Sequence, residues 1–205
     1  MEVAQVSSRI VTGVGEPQDD GQTPLDPDES RGLLLDWVAN RGDLNLAEEE
    51  NIALGMAWGE RAMRRVPVLS QDFLRELHRR MFGSVWRWAG RYRDRERNIG
   101  VAPHAIASQL KNLLDDVQTW DEFDTYVLDE RAVRLHHRLT AIHPFPNGNG
   151  RCARVFTDLY LETRGSLAFT WGSALAREVQ RRSYLDAIRA ADARDYRALI
   201  DFVRR

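Results

Sequence analysis

Apolar side chains recur at helical spacing through most of this chain, and the breaks between them carry helix start and stop signals. Leu33, Leu34, Leu35, Trp37 and Val38 suggest a short first helix. Asn45-Leu46-Ala47-Glu48 has the form of a capping box with Asn as the cap. The helix it opens is expected over 45–65, burying Leu46, Ile52, Leu54, Met56 and Trp58 before Pro67 stops it. Ser70 is placed to cap the next helix, through Phe73, Leu74, Leu77 and Met81 to Gly83. Pro103 fits the first turn of a helix carrying Ile106, Leu110, Leu113, Leu114 and Val117. A longer one follows from about Asp129 to Ile142, and another runs from Arg151 through Val155, Phe156, Leu159 and Tyr160 to Gly165. Ser173 is expected to cap a helix through Leu175, Val179, Tyr184, Leu185 and Ile188, and a last one holds Tyr196, Leu199, Ile200 and Phe202. The fold class that follows is all-α.

Residues 85–101 break that period. Val85-Trp86-Arg87-Trp88-Ala89-Gly90, Tyr92, a charged tip and Asn98-Ile99-Gly100-Val101 suggest a two-stranded hairpin, its tryptophans anchored in the core. The arginines of 91–97 read as solvated surface. Residues 1–29 are poor in large apolar side chains and rich in Gly, Pro, Asp and Gln, the composition of a tail or a partner-dependent arm. The expected organisation is therefore a tail over 1–29 and one domain over 30–205.

Charge narrows the function classes. Lys and Arg number 29 against 31 Asp and Glu, a formal net charge of -2, so nothing global favours nucleic acid. A single cysteine, Cys152, excludes an intramolecular disulfide and a CxxC metal site, and reads as a packing residue. No run approaches the roughly 20 apolar residues of a membrane span and the start lacks a basic-then-apolar leader, so no membrane partner and a cytoplasmic location are expected.

The chemistry concentrates in the loop between the helix ending at Ile142 and the next one: His143-Pro144-Phe145-Pro146-Asn147-Gly148-Asn149-Gly150-Arg151, with Arg154 beyond. Pro144 and Pro146 remove amide donors and favour extended chain before them, while Gly148 and Gly150 permit positive φ and close approach by a ligand. Such a loop can form an amide-lined nest that opens onto a helix N-terminus, where free N–H groups and the helix dipole favour an anion. Arg151 and Arg154 lie three apart on one helix face and can grip phosphate oxygens bidentately. If the loop folds back, His143 can take a proton from an attacking hydroxyl. Taken one at a time these residues are equally a helix-end histidine, an ordinary turn and a solvated face; it is their spacing that makes a phosphoryl-type transfer site.

The stretch resembles the signature of Fic proteins, His-x-Phe-x-Asp/Glu-Gly-Asn-Gly-Lys/Arg-x-x-Arg, at His143, Phe145, Gly148, Asn149, Gly150, Arg151 and Arg154. The resemblance implies a helical Fic-type domain that acts as a protein adenylyltransferase, moving AMP from ATP to a Ser, Thr or Tyr hydroxyl of a target protein. His143 is then the general base. The loop amides and Arg151 hold the α- and β-phosphates, Asn149 joins the cradle, and Arg154 meets the γ-phosphate. It also implies Mg²⁺, held on the phosphates by the acidic motif position. Here that position is Asn147, a neutral oxygen donor, so the cation leans more on the nucleotide and the identity of the transferred group is open.

Further resemblances extend this reading. Many Fic proteins have an inhibitory helix with the pattern Ser/Thr-x-x-x-Glu-Gly/Asn, whose Glu meets the second motif arginine. Glu50-Asn51 fit its last two positions and Leu46 departs at the first, which makes 45–65 the candidate inhibitory helix and Glu50 its acid; Glu48, Glu49 and Glu50 are alternatively an exposed acidic face. Asn98, Ile99, Gly100 and Val101 resemble the edge of the Fic flap, a hairpin that docks an extended target by strand addition. Tyr184 is a candidate for the adenine pocket, or a core residue. Pro24-Leu25-Asp26-Pro27-Asp28-Glu29, Trp86-Arg87-Trp88-Ala89-Gly90 and His143 to Arg151, over about residues 20 to 205, resemble the Fic subgroup called mobile mystery protein B, which implies a toxin-like role and a helix-turn-helix partner. The competing class is a non-catalytic nucleotide sensor or partner-regulated module.

Overall fold

The computed structural model of the protein describes residues 32–205, so the expected tail over 1–29 lies outside the described residues. Among the described residues seven α-helices follow in order: α1 (Arg41–Ala62), α2 (Gln71–Phe82), α3 (Ile106–Glu122, preceded by a single 3-10 turn at Pro103–Ala105), α4 (Leu128–Ile142), α5 (Asn149–Thr163), α6 (Arg177–Asp192) and α7 (Arg197–Val203). Among the described residues the β-structure is limited to bridges such as the antiparallel pair Leu33–Trp86. No helix there is long and apolar enough to cross a membrane.

α4 and α5 form the centre. α1 and α2 pack on the α5 side, while α3 and α7 pack against α4, with α6 beside α7. The resulting core runs from Phe73, Leu77 and Met81 on α2 through Leu135 and Leu139 on α4 to Phe156 and Leu159 on α5. Because α4 and α5 are held on both flanks, the loop joining them is fixed at both ends.

Several local signals act as expected. Ser70 accepts from the Phe73 amide at 3.2 Å and caps α2, which ends at Gly83. Pro103 opens the turn into α3, and Gly165, at φ 73°, follows the end of α5.

Others differ. α1 is capped by Asn40, whose side chain accepts from the Asp43 amide while the Asp43 carboxylate accepts from the Ala39 amide, both at 3.0 Å. The helix therefore begins before Asn45 and stops at Ala62. Its buried face carries Leu44, Glu48, Asn51, Ile52, Gly55 and Gly59, and it leaves Leu46 and Leu54 67% and 62% exposed. Close approach decides this: a Cβ at Gly55 would stand 2.5 Å from Met81 Cγ, so α1 lies against α2 through Gly55, with Leu46 and Leu54 turned outward. Leu33–Val38 form no helix, since the Leu34 amide donates to the Val85 carbonyl at 2.9 Å and ties this segment to the Trp86 turn. α6 begins at Arg177, not after Ser173, because residues 170–175 close as turns.

The expected hairpin over 85–101 is absent as strand pairing. Residues 91–102 run as an irregular loop, tied to the end of α4 by the Arg93 amide, which donates to the Pro144 carbonyl at 2.9 Å, and by the Arg93 side chain. Arg93 is buried, its Nε donating to the His143 carbonyl at 2.7 Å and its other nitrogens to the carbonyls of Arg95, Val101 and Ile142. Carbonyls caught by a guanidinium are drawn to the α4 C-terminus instead of to an opposing strand.

Candidate active site

His143 closes α4 in the left-handed conformation (φ 52°, ψ 61°), an uncommon state for a residue with a side chain and one that turns the chain sharply into the loop. Its ring is half-buried. Burial, then the positive charges of Arg93 and Arg97, lower its pKa, so at neutral pH the imidazole is unprotonated and able to accept a proton.

Beneath the loop lies His78 of α2, fully buried and stacked on the Phe145 ring with centroids 3.7 Å apart. Its Nδ1 accepts from the Gly90 amide at 3.0 Å, which leaves the proton on Nε2 to be donated to the Asn147 carbonyl at 3.0 Å. Burial pushes its pKa down to about 3, so this bond is made by a neutral ring.

Asn149 closes the loop. Its carboxamide accepts from the Phe145 amide and donates to the Phe145 carbonyl, each at 2.8 Å, and it is buried. With one hydrogen bond to Phe145 from each end of its carboxamide, this side chain acts as a clamp of the loop. Asn147 is likewise engaged, its Oδ1 accepting from the Gly148 amide at 2.6 Å. No cluster of three or more His, Cys, Asp or Glu side chains suited to a metal exists among the described residues. A neutral oxygen already accepting a hydrogen bond, with no carboxylate cluster near it, does not fit a cation held by the protein.

The start of α5 is different. Its N-cap is Gly148, φ 75°, where a Cβ would strike the Phe82 ring at 2.6 Å, and no side chain caps the helix. A Cβ added at Gly150 would meet nothing within 4 Å. An uncapped N-terminus beside open space is suited to an anion.

The two arginines have unlike surroundings. Arg151 donates through Nη1 to Glu48 Oε2 at 2.5 Å and lies over the Phe82 ring. Glu48 is buried on α1, and its other oxygen accepts from Trp86 Nε1 at 2.7 Å. Glu50 lies on the exposed face of α1, so the acid that reaches the motif is Glu48, and it meets Arg151, not Arg154. Arg154 is buried, and its Nη1 has no hydrogen-bond partner. Its guanidinium sits 5.7 Å from the Tyr184 ring centroid.

The structure thus places His143 and the α5 terminus at the two ends of a clamped loop, with Arg151 and Arg154 on the first turns of α5. Asn98, Ile99 and Gly100 are exposed on the loop that Arg93 ties to the His143 backbone, and the Val101 amide donates to the Ile142 carbonyl at 3.3 Å. His78, Arg93 and Glu48 are the site residues that sequence reasoning missed. The first was one apolar-face position among several, the second was hidden in a charged run, and the third was masked by two neighbouring glutamates. A cleft of about 470 Å³ between Met63–Leu69, Gln118 and Arg164 shares no residue with this site.

Comparison with known proteins bears on the family and the fold. The model of the Fic/DOC family matches residues 68–161. The chain is 30% identical over 143 residues to protein adenylyltransferase fic-1 of Caenorhabditis elegans, covering 66% of this chain and 26% of that protein. It therefore spans about a quarter of that curated relative's length. The solved structure of Fic-1 (aa134–508) from C. elegans is similar at TM-score 0.62 and 28% identity, over 76% of this chain and 48% of that one. BepC, a VirB-translocated Bartonella effector protein from Bartonella tribocorum solved with bound AMPPNP, shares the fold at TM-score 0.62 and 18% identity, over 80% of this chain and 86% of that one. This chain carries a Fic/DOC family domain.

Proposed function

We propose that the protein is an adenylyltransferase that moves AMP from ATP to a Ser, Thr or Tyr hydroxyl of another protein. The observation that carries this reading is the start of α5, uncapped and open at Gly150, with the buried, unpartnered Nη1 of Arg154 one turn further on. The relatives named as protein adenylyltransferases and the AMPPNP-bound neighbour support it.

In this reading the α5 amides and Arg151 hold the α- and β-phosphates and Arg154 takes the γ-phosphate. Neutral His143 accepts the target hydroxyl proton as the oxygen attacks the α-phosphorus. The bond from the α-phosphorus to the bridging oxygen breaks, and pyrophosphate leaves. The target segment lies along the exposed residues 98–100, beside the His143 backbone. Mg²⁺ arrives on the triphosphate, because the donor set around Asn147 does not fit a cation of the protein's own.

A second reading, nucleotide binding without transfer, is favoured by the Glu48–Arg151 pair, which holds one guanidinium away from the phosphates while the α5 amides and Arg154 remain to bind them. Incubation with candidate targets and ATP labelled at the α- or the γ-phosphate separates the two. Label from the α-position on protein, abolished by His143→Ala with the fold intact, is the expected result. Label from the γ-position would mean phosphorylation, reversible binding alone would favour the second reading, and α-label unchanged in His143→Ala would remove the base.

A further inference from the structure

A buried guanidinium is ordinarily matched by a carboxylate, because an unpaired charge away from water is costly. Arg154 lacks one. Asp158, one turn along α5, is engaged elsewhere: its carboxyl oxygens accept from Trp171 Nε1 at 3.0 and 3.1 Å and from the Phe169 amide at 3.0 Å. What touches Arg154 instead is the face of Tyr184, on α6.

Tyr184 is itself fixed on three sides. Its hydroxyl shares a hydrogen bond of 2.9 Å with His136 Nε2 on α4, its ring packs on Phe202 of α7 at 5.8 Å, and the Arg154 guanidinium covers a face. His136 is fully buried against the Trp171 ring at 4.5 Å, and the Trp171 carbonyl accepts from Gln180 Nε2 at 2.8 Å, one turn before Tyr184 on α6. An aromatic face attracts the guanidinium without neutralising it, so its charge stays available for a ligand.

We propose that Tyr184, held by His136, is the positioning residue that sets Arg154 for the terminal phosphate of a nucleoside triphosphate, and thereby makes the site prefer triphosphate over diphosphate. The inference rests on the reading that Arg154 meets the γ-phosphate. Arg151 is already tied to Glu48 and lies beside the first-turn amides, whereas Arg154 is about one turn, roughly 5 Å, further along α5 and addresses a different point of the phosphate chain. A ring that only filled the core would affect every nucleotide alike. One that aims Arg154 affects only those with a γ-phosphate.

The test is calorimetric titration of the intact protein and two variants with AMPPNP and with ADP, alongside unfolding midpoints. Wild type is expected to bind AMPPNP more tightly than ADP. Tyr184→Leu should lose about fivefold or more in AMPPNP affinity, the scale of a cation–aromatic contact at its weaker end, with ADP affinity unchanged. Tyr184→Phe, which keeps the ring and frees it from His136, should lose about twofold or more with ADP again unchanged, and it carries the test should the leucine variant not fold. Equal losses for both nucleotides, or no loss, overturn the positioning role while leaving Arg154 in place. A wild type with no preference for AMPPNP overturns the assignment of Arg154, and this proposal with it.

Discussion

Replacing Asn149 with Ala tests whether this side chain builds the loop or holds the ligand. In the structure it satisfies both the amide and the carbonyl of Phe145, at 2.8 Å each, in a buried position. Removing it strands one donor and one acceptor, and each stranded buried group costs about 1–3 kcal/mol. Allowing for partial entry of water, the expected loss is about 2–4 kcal/mol, a large share of the roughly 5–15 kcal/mol that stabilises a typical domain. For a chain of this size the unfolding midpoint should fall by about 4–16 °C. Asn149→Asp should not rescue it, because the carboxylate keeps the acceptor for the Phe145 amide but turns an oxygen towards the Phe145 carbonyl. Urea unfolding followed by circular dichroism, without nucleotide, measures the difference. An alanine variant within about 0.5 kcal/mol of wild type but deficient in ATP binding would refute the clamp and return Asn149 to the phosphate cradle.

Three further predictions follow from the same contacts. Glu48→Gln keeps an acceptor for Trp86 Nε1 and releases the charge of Arg151, so ATP affinity should rise; weaker binding would mean that Glu48 orients Arg151 rather than competing for it. Arg93→Lys cannot reach the same set of carbonyls, and should raise protease cleavage within 94–100 and lower transfer, with a fall in the unfolding midpoint from the buried carbonyls it leaves unpaired; cleavage at the wild-type rate would remove Arg93 as the anchor. Stability should fall with acidification between about pH 6.5 and 4: His78 and His136, both pushed by burial down to about 3, stay neutral in the fold while the unfolded chain takes up protons, a loss of up to roughly 2.7 kcal/mol per pH unit. Asp158, raised by burial to about 7, stays protonated in the fold over the same window and offsets up to about half of that, so Asp158→Asn should steepen the decline measured by urea midpoints, and an unaltered slope would refute its burial as an uncharged acid.

Helices whose stability comes from an apolar stripe and a local cap can be read directly from the residues, because both act within a few positions. Ser70 with Phe73, Leu77 and Met81, and Leu135 with Leu139, stand where their spacing puts them, and the loop at 143–151 announces itself through prolines, glycines and arginines at fixed intervals. What spacing could not supply was the choice of partner among chemically equal neighbours. Three adjacent glutamates offer the same carboxylate, and only the roll of α1, set by Gly55 against Met81, turns Glu48 inward to Arg151 and leaves Glu50 exposed. The arginines of 91–97 look alike in the chain, yet the burial of Arg93 under the α4 C-terminus replaces a hairpin with a loop tied to His143. Local chemistry determined which groups were present and roughly which elements carried them. Long-range packing determined which of those groups are hydrogen-bonded within the fold, as Asn149 is, and which, like the Nη1 of Arg154, are buried without a hydrogen-bond partner among the described residues.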